Sequence, residues 1–193
     1  MKTTAVILAA GQGTRMHSTL PKVLHPLLGW PMVSYSIEAC RQATGRKPLV
    51  VIGHAAEQVR QALGETAEYA VQEPQLGTGH AMLQVENQLR GQTDLVLVTA
   101  ADMPLLTQET FAQLIQLQQA NPGPITMLTA VAEQARGFGR VLRDAEGRVQ
   151  AVVEEAHASA EQLAVRELNT SIYCFAAEWL WPALQRILLS PKG

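Results

Sequence analysis

The segment that most constrains the fold is a glycine-bearing turn directly after an apolar run. Residues 5–8 predict a buried first strand, and the sequence LAAGQGTRM occupies residues 8–16. A glycine turn at the carboxyl end of a strand lets backbone N–H groups approach phosphates, as open α/β sheets require. Two cations, Arg15 and Lys22, follow closely. Together these features predict a site for a nucleoside triphosphate, with the cations offsetting its charge.

Two familiar glycine motifs do not fit this segment. A dinucleotide fingerprint requires a third glycine three residues after the second, where this chain has Met16. A P-loop requires four residues between its glycines, whereas only Gln12 lies between Gly11 and Gly13. A plain glycine turn with two solvated cations is the alternative, and Pro21 disfavours it because proline limits the freedom of the chain just before the second cation.

Composition and charge narrow the class of protein. The chain has 193 residues, of which 47% are hydrophobic and 17% charged, so we expect a soluble globular domain with its own core. The net charge of −2 and the scattered basic residues argue against a nucleic-acid partner, and no apolar stretch is long enough to cross a membrane. Cys40 and Cys174 lack metal-binding spacing and are expected to be packed thiols. With no signal peptide at the amino terminus, we expect a cytoplasmic protein.

The order of predicted elements indicates an α/β fold. Up to residue 124, strands and helices alternate, which predicts a mostly parallel sheet flanked by helices, with its ligand crevice at the carboxyl ends of the strands. The Gly11 turn, Gly53, His54 and Asp102 all lie at such ends. The strands are predicted at residues 5–8, 49–52, 69–71 and 94–99, and the helices at residues 32–43, 55–63, 78–89 and 107–120.

From residue 125 the pattern changes to short strands separated by tight turns. Strands are predicted at residues 125–131, 138–142, 149–153 and 168–175, with a hairpin turn at 144–147. A final helix is predicted at residues 178–189, with an apolar face formed by Leu180, Trp181, Leu184, Ile187 and Leu188. We therefore predict one domain with a nucleotide-binding part, 1–124, and a smaller β-rich part, 125–193, that caps the crevice.

Several polar residues have the chemistry of a nucleotide site. Asp102 follows the fourth strand, where a carboxylate can hold Mg²⁺ together with phosphate oxygens, or can instead shape the turn before Pro104. Gln72, Gly77 and Thr78 combine an amide with close backbone approach, which suits a nucleobase as well as it suits a simple helix start. In the β-rich part, Gly139, Glu154 and Asn169 are of the types that bind sugar hydroxyls, although Glu154 alone reads as a surface acid. The five histidines show no ligand spacing and are interpreted as non-catalytic.

These motifs resemble one family. The chain is similar to the N-terminal uridylyltransferase domain of the bacterial bifunctional N-acetylglucosamine-1-phosphate uridyltransferase/glucosamine-1-phosphate acetyltransferase. The resemblance extends from residue 5 to about residue 175 and implies a Rossmann-like nucleotide-diphospho-sugar transferase fold. It is carried by LAAGQGTRM at 8–16, PKVLH at 21–25, GH at 53–54, QLGTGHA at 75–81, FGR at 138–140, VVE at 152–154 and ELNT at 167–170.

The resemblance implies a reaction and a role for each residue. UTP and N-acetylglucosamine-1-phosphate would give UDP-N-acetylglucosamine, a cell-envelope precursor used in peptidoglycan synthesis, and pyrophosphate. Arg15 and Lys22 would be catalytic, and Asp102 would bind Mg²⁺ and contact the sugar. The sugar would also be held by Gly139, Glu154 and Asn169, and the nucleotide by Leu8, Ala9, Ala10, Gly11, Gly13, Thr14, Gln72, Gly77 and Thr78.

The chain also departs from the family pattern. Ala101 stands where the family has glycine, Ala156 and His157 replace a lysine and an aspartate, and the family's second metal ligand would lie beyond residue 193. The trimerising acetyltransferase β-helix is not in the chain either, so we expect a monomer. Two alternatives stay open: a cytidylyl- or guanylyltransferase of the molybdenum-cofactor type, which the sequence DMPLL at 102–106 also resembles, and a nucleotide-binding module without turnover.

Overall fold

A computed structural model describes residues 1–135 and 137–187, with only the backbone at Arg15. The strands are β1 (Thr3–Leu8), β2 (Pro26–Leu27), β3 (Trp30–Pro31), β4 (Leu49–Ile52), β5 (Glu68–Val71), β6 (Leu95–Ala100), β7 (Ile125–Val131), β8 (Arg140–Arg143), β9 (Val149–Val153) and β10 (Glu167–Ala176). The helices are α1 (Met32–Thr44), α2 (Ala56–Leu63), α3 (Thr78–Leu83), α4 (Glu86–Leu89), α5 (Gln108–Ala120), α6 (Ala160–Leu163) and α7 (Ala177–Leu184).

The chain folds into two compact units. The larger unit consists of Met1–Thr126 and the chain from Tyr173 onward, and the smaller unit is Met127–Ile172. The larger unit contains a parallel sheet in the order β5-β4-β1-β6, to which the last residues of β10 add an antiparallel strand. The predicted α/β fold with a mostly parallel mixed sheet flanked by helices is confirmed.

The apolar run that opens the chain forms the centre of the larger unit. β1 lies between β4 and β6, and residues Ala5, Val6 and Ile7 are completely buried. One buried cluster joins β1, β4 and β6 to helices α3 and α7, with Met82 and Trp181 among its large members. Because the four strands are parallel, their carboxyl ends meet at one edge of the sheet, and the loops that follow them are brought together there.

The smaller unit contains the predicted hairpin. β8 and β9 pair antiparallel, and the backbone of Asp144 and Gly147 closes the turn between them. β10 pairs with β8 through Leu168 and Arg140, and β7 pairs with β10. The strand predicted to begin at residue 138 begins instead at Arg140, while the strand predicted at residues 125–131 has those bounds in the structure.

Some predicted helices differ from the observed ones. The helix predicted at 78–89 is interrupted between α3 and α4, where the N–H of Val85 donates to the carbonyl of Met82 only three residues back. The predicted final helix ends at Leu184; Ile187 lies beyond that end and is exposed, and Leu188 and Leu189 lie outside the described residues. Within the described parts of the chain, no helix is both long and apolar enough to cross a membrane.

Both cysteines are buried free thiols, as the sequence predicts. Cys40 in α1 and Cys174 in β10 are 0% exposed. Burial raises the pKa of each thiol to about 12.

We expect neither thiol to react with an aromatic disulfide reagent at pH 8 faster than the protein unfolds, because the thiolate is the reactive form and is scarce when the pKa is so high. The absorbance of the aromatic thiolate that the reagent releases measures the rate of thiol reaction. Urea above the unfolding midpoint should make both thiols react together. Rapid reaction of either thiol in the native protein would contradict the burial of Cys40 and Cys174.

Candidate active site

The loop after β1 is anchored to the neighbouring strand at its start. The N–H of Ala9 donates to the Val51 carbonyl at 2.8 Å, and the carbonyl of Ala10 accepts from the His54 N–H at 3.3 Å. Both alanines are buried, whereas Leu8 is half-buried. The loop therefore leaves the sheet from a fixed position, at the edge where the fold class places ligands.

The two glycines of the loop differ in their surroundings. A Cβ on Gly11 would meet nothing within 4 Å, so its backbone faces open space that a ligand can enter. Gly13 has a left-handed backbone, with φ of 63°, and a Cβ there would lie 2.6 Å from the Cβ of Lys22. Thr14 then starts a short 3-10 helix, Thr14–Met16. Glycine is required at position 13 for two reasons: the backbone is left-handed there, and Lys22 leaves no space for a side chain.

The predicted catalytic cation Lys22 is held close to the predicted metal ligand. Lys22 opens a second 3-10 helix, Lys22–Leu24, whose residues Val23 and Leu24 are buried and so anchor it. Its ammonium forms an ion pair with the Asp102 carboxylate, which follows β6. The two side chains are 33% and 37% exposed, and pairs this exposed contribute only about 0–1 kcal/mol. A triphosphate or a metal ion can therefore exchange for either partner at low cost.

The side chain of the other predicted catalytic cation, Arg15, lies outside the described residues. Its backbone is part of the Thr14–Met16 helix, directly after Gly13. Its role stays a prediction.

The donor set at Asp102 fits Mg²⁺ in one particular way. In the described parts of the chain, no group of three or more histidine, cysteine, aspartate or glutamate side chains could form a complete metal cage. Mg²⁺ commonly takes only one or two protein carboxylates and completes its shell with water and substrate phosphates. Asp102 offers one carboxylate, partly exposed, at the same edge of the sheet as the glycine loop. The residues fit a metal that arrives with the nucleotide rather than one held by the protein alone.

The predicted nucleobase residues form a connected group. Gln72 follows β5, is 3% exposed, and its Nε2 donates to the Gly77 carbonyl at 2.9 Å. Gly77 has φ of 95° and is followed by Thr78, the exposed first residue of α3. The Gln72 amide also lies 3.1 Å from Nδ1 of His80. The sequence indicated the first three residues but gave no sign that His80 contacts Gln72.

Gly53 brings the loops after three strands into contact. A Cβ on Gly53 would lie 2.8 Å from Nε2 of Gln75 and 3.0 Å from both the Cβ and the carbonyl oxygen of Ala10. The loops that follow β1, β4 and β5 are therefore packed without space for any side chain at this point. The structure thus brings the predicted triphosphate loop together with the segment after β5, in which the predicted base residues lie.

The three predicted sugar residues of the smaller unit lie together. A Cβ on Gly139 would be 3.2 Å from the Oε1 atom of Glu154, so the carboxylate rests against the glycine backbone. The N–H of Asn169 donates to the Gly139 carbonyl at 2.8 Å, and Asn169 is 5% exposed. Its Oδ1 accepts from the N–H of Ser171 at 3.1 Å. A carboxylate, an amide and a backbone that allows close approach are thereby assembled within this unit.

Sequence reasoning missed a second pair of residues in this unit. Arg140 is 4% exposed, and its guanidinium donates to the Phe138 carbonyl and, at 3.2 Å, to the Glu155 carboxylate. The same Glu155 oxygen accepts from the N–H of Gly137 at 2.9 Å. The pair fixes the chain on both sides of Gly139. No pattern in the sequence indicated that a buried arginine would find its partner fifteen residues away.

We expect Glu155→Ala to lower the free energy of unfolding by about 1–3 kcal/mol, because it leaves buried Arg140 donors unsatisfied. Urea unfolding measures the change. Glu161→Ala, at an exposed position of α6, is the matched control and should stay within about 0.5 kcal/mol of the parent. Equal effects of the two substitutions would contradict the role of the Arg140–Glu155 pair.

A parallel sheet with a glycine loop, a lysine and a carboxylate at the carboxyl ends of its strands defines a nucleotide-binding α/β protein. Comparison with known proteins gives the family. The chain belongs to the MobA-like NTP transferase domain family, whose model matches residues 5–190. It is therefore a nucleotidyltransferase domain.

The chain is also similar to part of a longer protein. It is 48% identical over 187 residues to the Bifunctional protein GlmU of Exiguobacterium sp., a match covering 97% of this chain and 42% of that protein. It is 44% identical to the Bifunctional protein GlmU of Bacillus subtilis, over 95% of this chain and 40% of that protein. The chain thus spans about two fifths of the length of these relatives.

A solved structure shares the fold. It is the structure of CMP:2-keto-3-deoxy-manno-octonic acid synthetase complexed with CTP, with a TM-score of 0.73. The match covers 100% of this chain and 81% of that one, at 19% sequence identity, and so concerns the fold alone.

Proposed function

We propose that the chain transfers a uridylyl group from UTP to N-acetylglucosamine-1-phosphate, giving UDP-N-acetylglucosamine and pyrophosphate. The observation that carries the proposal is the exchangeable Lys22–Asp102 pair beside Gly13, in a chain 48% identical to a GlmU protein. A cation and a carboxylate at this edge of the sheet are what a metal-bound triphosphate requires.

The loop after β1 binds the triphosphate. The open backbone at Gly11 admits the phosphates, and the left-handed turn at Gly13 directs the chain around them. The Lys22 ammonium exchanges the Asp102 carboxylate for phosphate oxygens of the nucleotide. The Arg15 guanidinium binds the same triphosphate. The remaining nucleotide contacts are Leu8, the last residue of β1, and the following residues Ala9, Ala10 and Thr14.

The reaction is an in-line displacement at the α-phosphorus of UTP. A phosphate oxygen of the sugar phosphate forms a new bond to this phosphorus, while the bridging oxygen between the α- and β-phosphorus atoms leaves with its electron pair as part of pyrophosphate. No covalent intermediate with the protein is needed, so catalysis consists of positioning and of neutralising charge. Lys22 and Arg15 neutralise this charge. They accelerate the reaction most by stabilising the negative charge that develops on the leaving pyrophosphate.

Asp102 is the residue that would hold Mg²⁺. When bound, the ion would supply positive charge to phosphate oxygens of the nucleotide. Asp102 also contacts the sugar, so this carboxylate has two roles. With the Asp102 carboxylate as the ligand that the described residues supply, affinity for the ion is expected to depend on the nucleotide being present.

Base and sugar are held by separate groups of residues. The buried amide of Gln72, with Gly77 and Thr78, contacts the uridine. Within the smaller unit, the carboxylate of Glu154 and the amide of Asn169, placed around Gly139, bind hydroxyl and acetamido groups of the amino sugar. Amide and carboxylate groups of this kind read hydroxyl donors and acceptors well.

A substrate panel tests the proposal. UTP, CTP and GTP are each supplied with N-acetylglucosamine-1-phosphate or a pterin phosphate acceptor, and products are identified by mass spectrometry. We expect UDP-N-acetylglucosamine to be the main product. Pyrophosphate release only with CTP or GTP and the pterin acceptor would overturn the proposal in favour of the molybdenum-cofactor type of reaction.

A further inference from the structure

The buried amide of Gln72 lies between the Gly77 carbonyl and the His80 ring. Gln72 Nε2 donates to the Gly77 carbonyl at 2.9 Å and lies 3.1 Å from His80 Nδ1. A carbonyl oxygen only accepts hydrogen bonds, so the amide nitrogen must face Gly77, and its second N–H is available to the ring. Within the described residues, the Gln72 Oε1 atom is then left without a protein partner.

A second amide competes for the same ring. Gln84 Nε2 lies 3.2 Å from His80 Nε2 and also donates to the His80 carbonyl at 3.0 Å. A neutral imidazole has only one accepting nitrogen, so both amides cannot donate to it. Gln72 is 3% exposed, whereas Gln84 is half-buried and can bind water instead. An unmade bond costs more at the buried amide, so the network assigns the accepting role to Nδ1.

We propose that His80 is a positioning residue for nucleobase recognition, which acts together with the Gly77 carbonyl to fix the Gln72 amide with Oε1 toward the base. This inference rests on the proposed function, since it concerns the same site. Uracil carries an N–H at the centre of its pairing edge, where cytosine has an accepting nitrogen. An amide held with its oxygen outward therefore favours UTP over CTP, whereas an amide free to turn can serve either base.

Calorimetric dissociation constants of UTP and CTP, measured with Mg²⁺, test the proposal. His80→Leu removes the acceptor at similar size, and we expect the preference for UTP to fall about tenfold, the effect of roughly one hydrogen bond. His80→Asn places an amide oxygen near the former Nδ1 and should restore most of the preference. If His80→Leu does not fold, His80→Ala removes the same acceptor and gives the same readout.

Two further variants separate positioning from general packing. Gln84→Leu changes the other partner of His80 and should leave the UTP preference unchanged. In a Gln72→Leu background, His80→Leu should have no further effect on the preference, because the amide it positions is gone. An unchanged preference in His80→Leu, or an equal loss with and without Gln72, would overturn the proposal.

The same experiment distinguishes this inference from the proposed function. If the parent chain binds UTP more tightly than CTP but releases no pyrophosphate, the proposed reaction fails while the role of His80 is still measured by the binding ratio. If the parent turns over UTP but His80→Leu keeps the full preference, the reaction stands and the role of His80 is refuted.

Discussion

Lys22→Ala lowers kcat for pyrophosphate release by about 10²–10³-fold, the range seen when one charge-stabilising group is removed from an active site. The fold stays intact, because the Lys22–Asp102 pair is a third exposed and contributes only about 0–1 kcal/mol. Steady-state kinetics with UTP and N-acetylglucosamine-1-phosphate measure the loss. Arg15→Ala should act in the same direction, since both cations are assigned to the triphosphate.

The matched control for this prediction is Lys47→Ala, an exposed lysine in the same unit before β4. It removes the same charge and should leave kcat unchanged. Thermal unfolding of all variants shows whether the fold persists. Near-normal turnover in both Lys22→Ala and Arg15→Ala would remove these residues from the mechanism.

The second large effect is expected from Asp102→Asn. The substitution keeps the shape of the side chain but removes the negative charge that Mg²⁺ prefers in a ligand. We therefore expect kcat to fall about 10²-fold or more, and we expect turnover to reach half of its maximum at a higher Mg²⁺ concentration. Turnover measured as a function of Mg²⁺ concentration separates these two effects. The released Lys22 ammonium remains available to phosphate.

Asp94→Asn is the control for Asp102→Asn. Asp94 precedes β6, at the opposite end of the strand, and accepts from the backbone N–H of Lys2 at 2.7 Å. Its replacement should leave the Mg²⁺ dependence of kcat unchanged. A parental response to Mg²⁺ in Asp102→Asn would place the metal elsewhere.

The sequence indicated most of the larger unit correctly, because its signals are local. The apolar run at residues 5–8 and the alternation of strands and helices depend on periodicity, which predicts burial directly. The helix predicted at 107–120 also agrees with α5, which Thr107 caps by accepting from the Thr110 N–H.

The helix boundaries that could not be predicted from the sequence depend on tertiary contacts. The helix predicted at 78–89 is interrupted at Val85, a fully buried residue in the core cluster, and nothing in its own segment signals a break. The left-handed backbone of Ala55 shortens α2 by one residue at its start. By contrast, α6 was overlooked although Ser159 and Gln162 form a capping box that its sequence spacing displays.

The same division applies to the candidate site. The sequence predicted the glycine loop, Lys22 and Asp102 as site residues because each lies next to a predicted strand end or a proline. The ion pair between Lys22 and Asp102 joins residues eighty positions apart and could not be inferred from their spacing in the sequence. The contact of His80 with Gln72 could not be predicted from the sequence either, because the hydrogen-bonding partners of a histidine depend on the fold around it.

Release of pyrophosphate from UTP and N-acetylglucosamine-1-phosphate tests the central claim most directly. Mg²⁺ is titrated from micromolar to tens of millimolar, and UTP binding is measured in parallel by calorimetry. If Asp102 is the carboxylate that holds the ion, as the described residues indicate, turnover should saturate only at high Mg²⁺. UTP binding without pyrophosphate release at any Mg²⁺ concentration would contradict the account and leave a nucleotide-binding module.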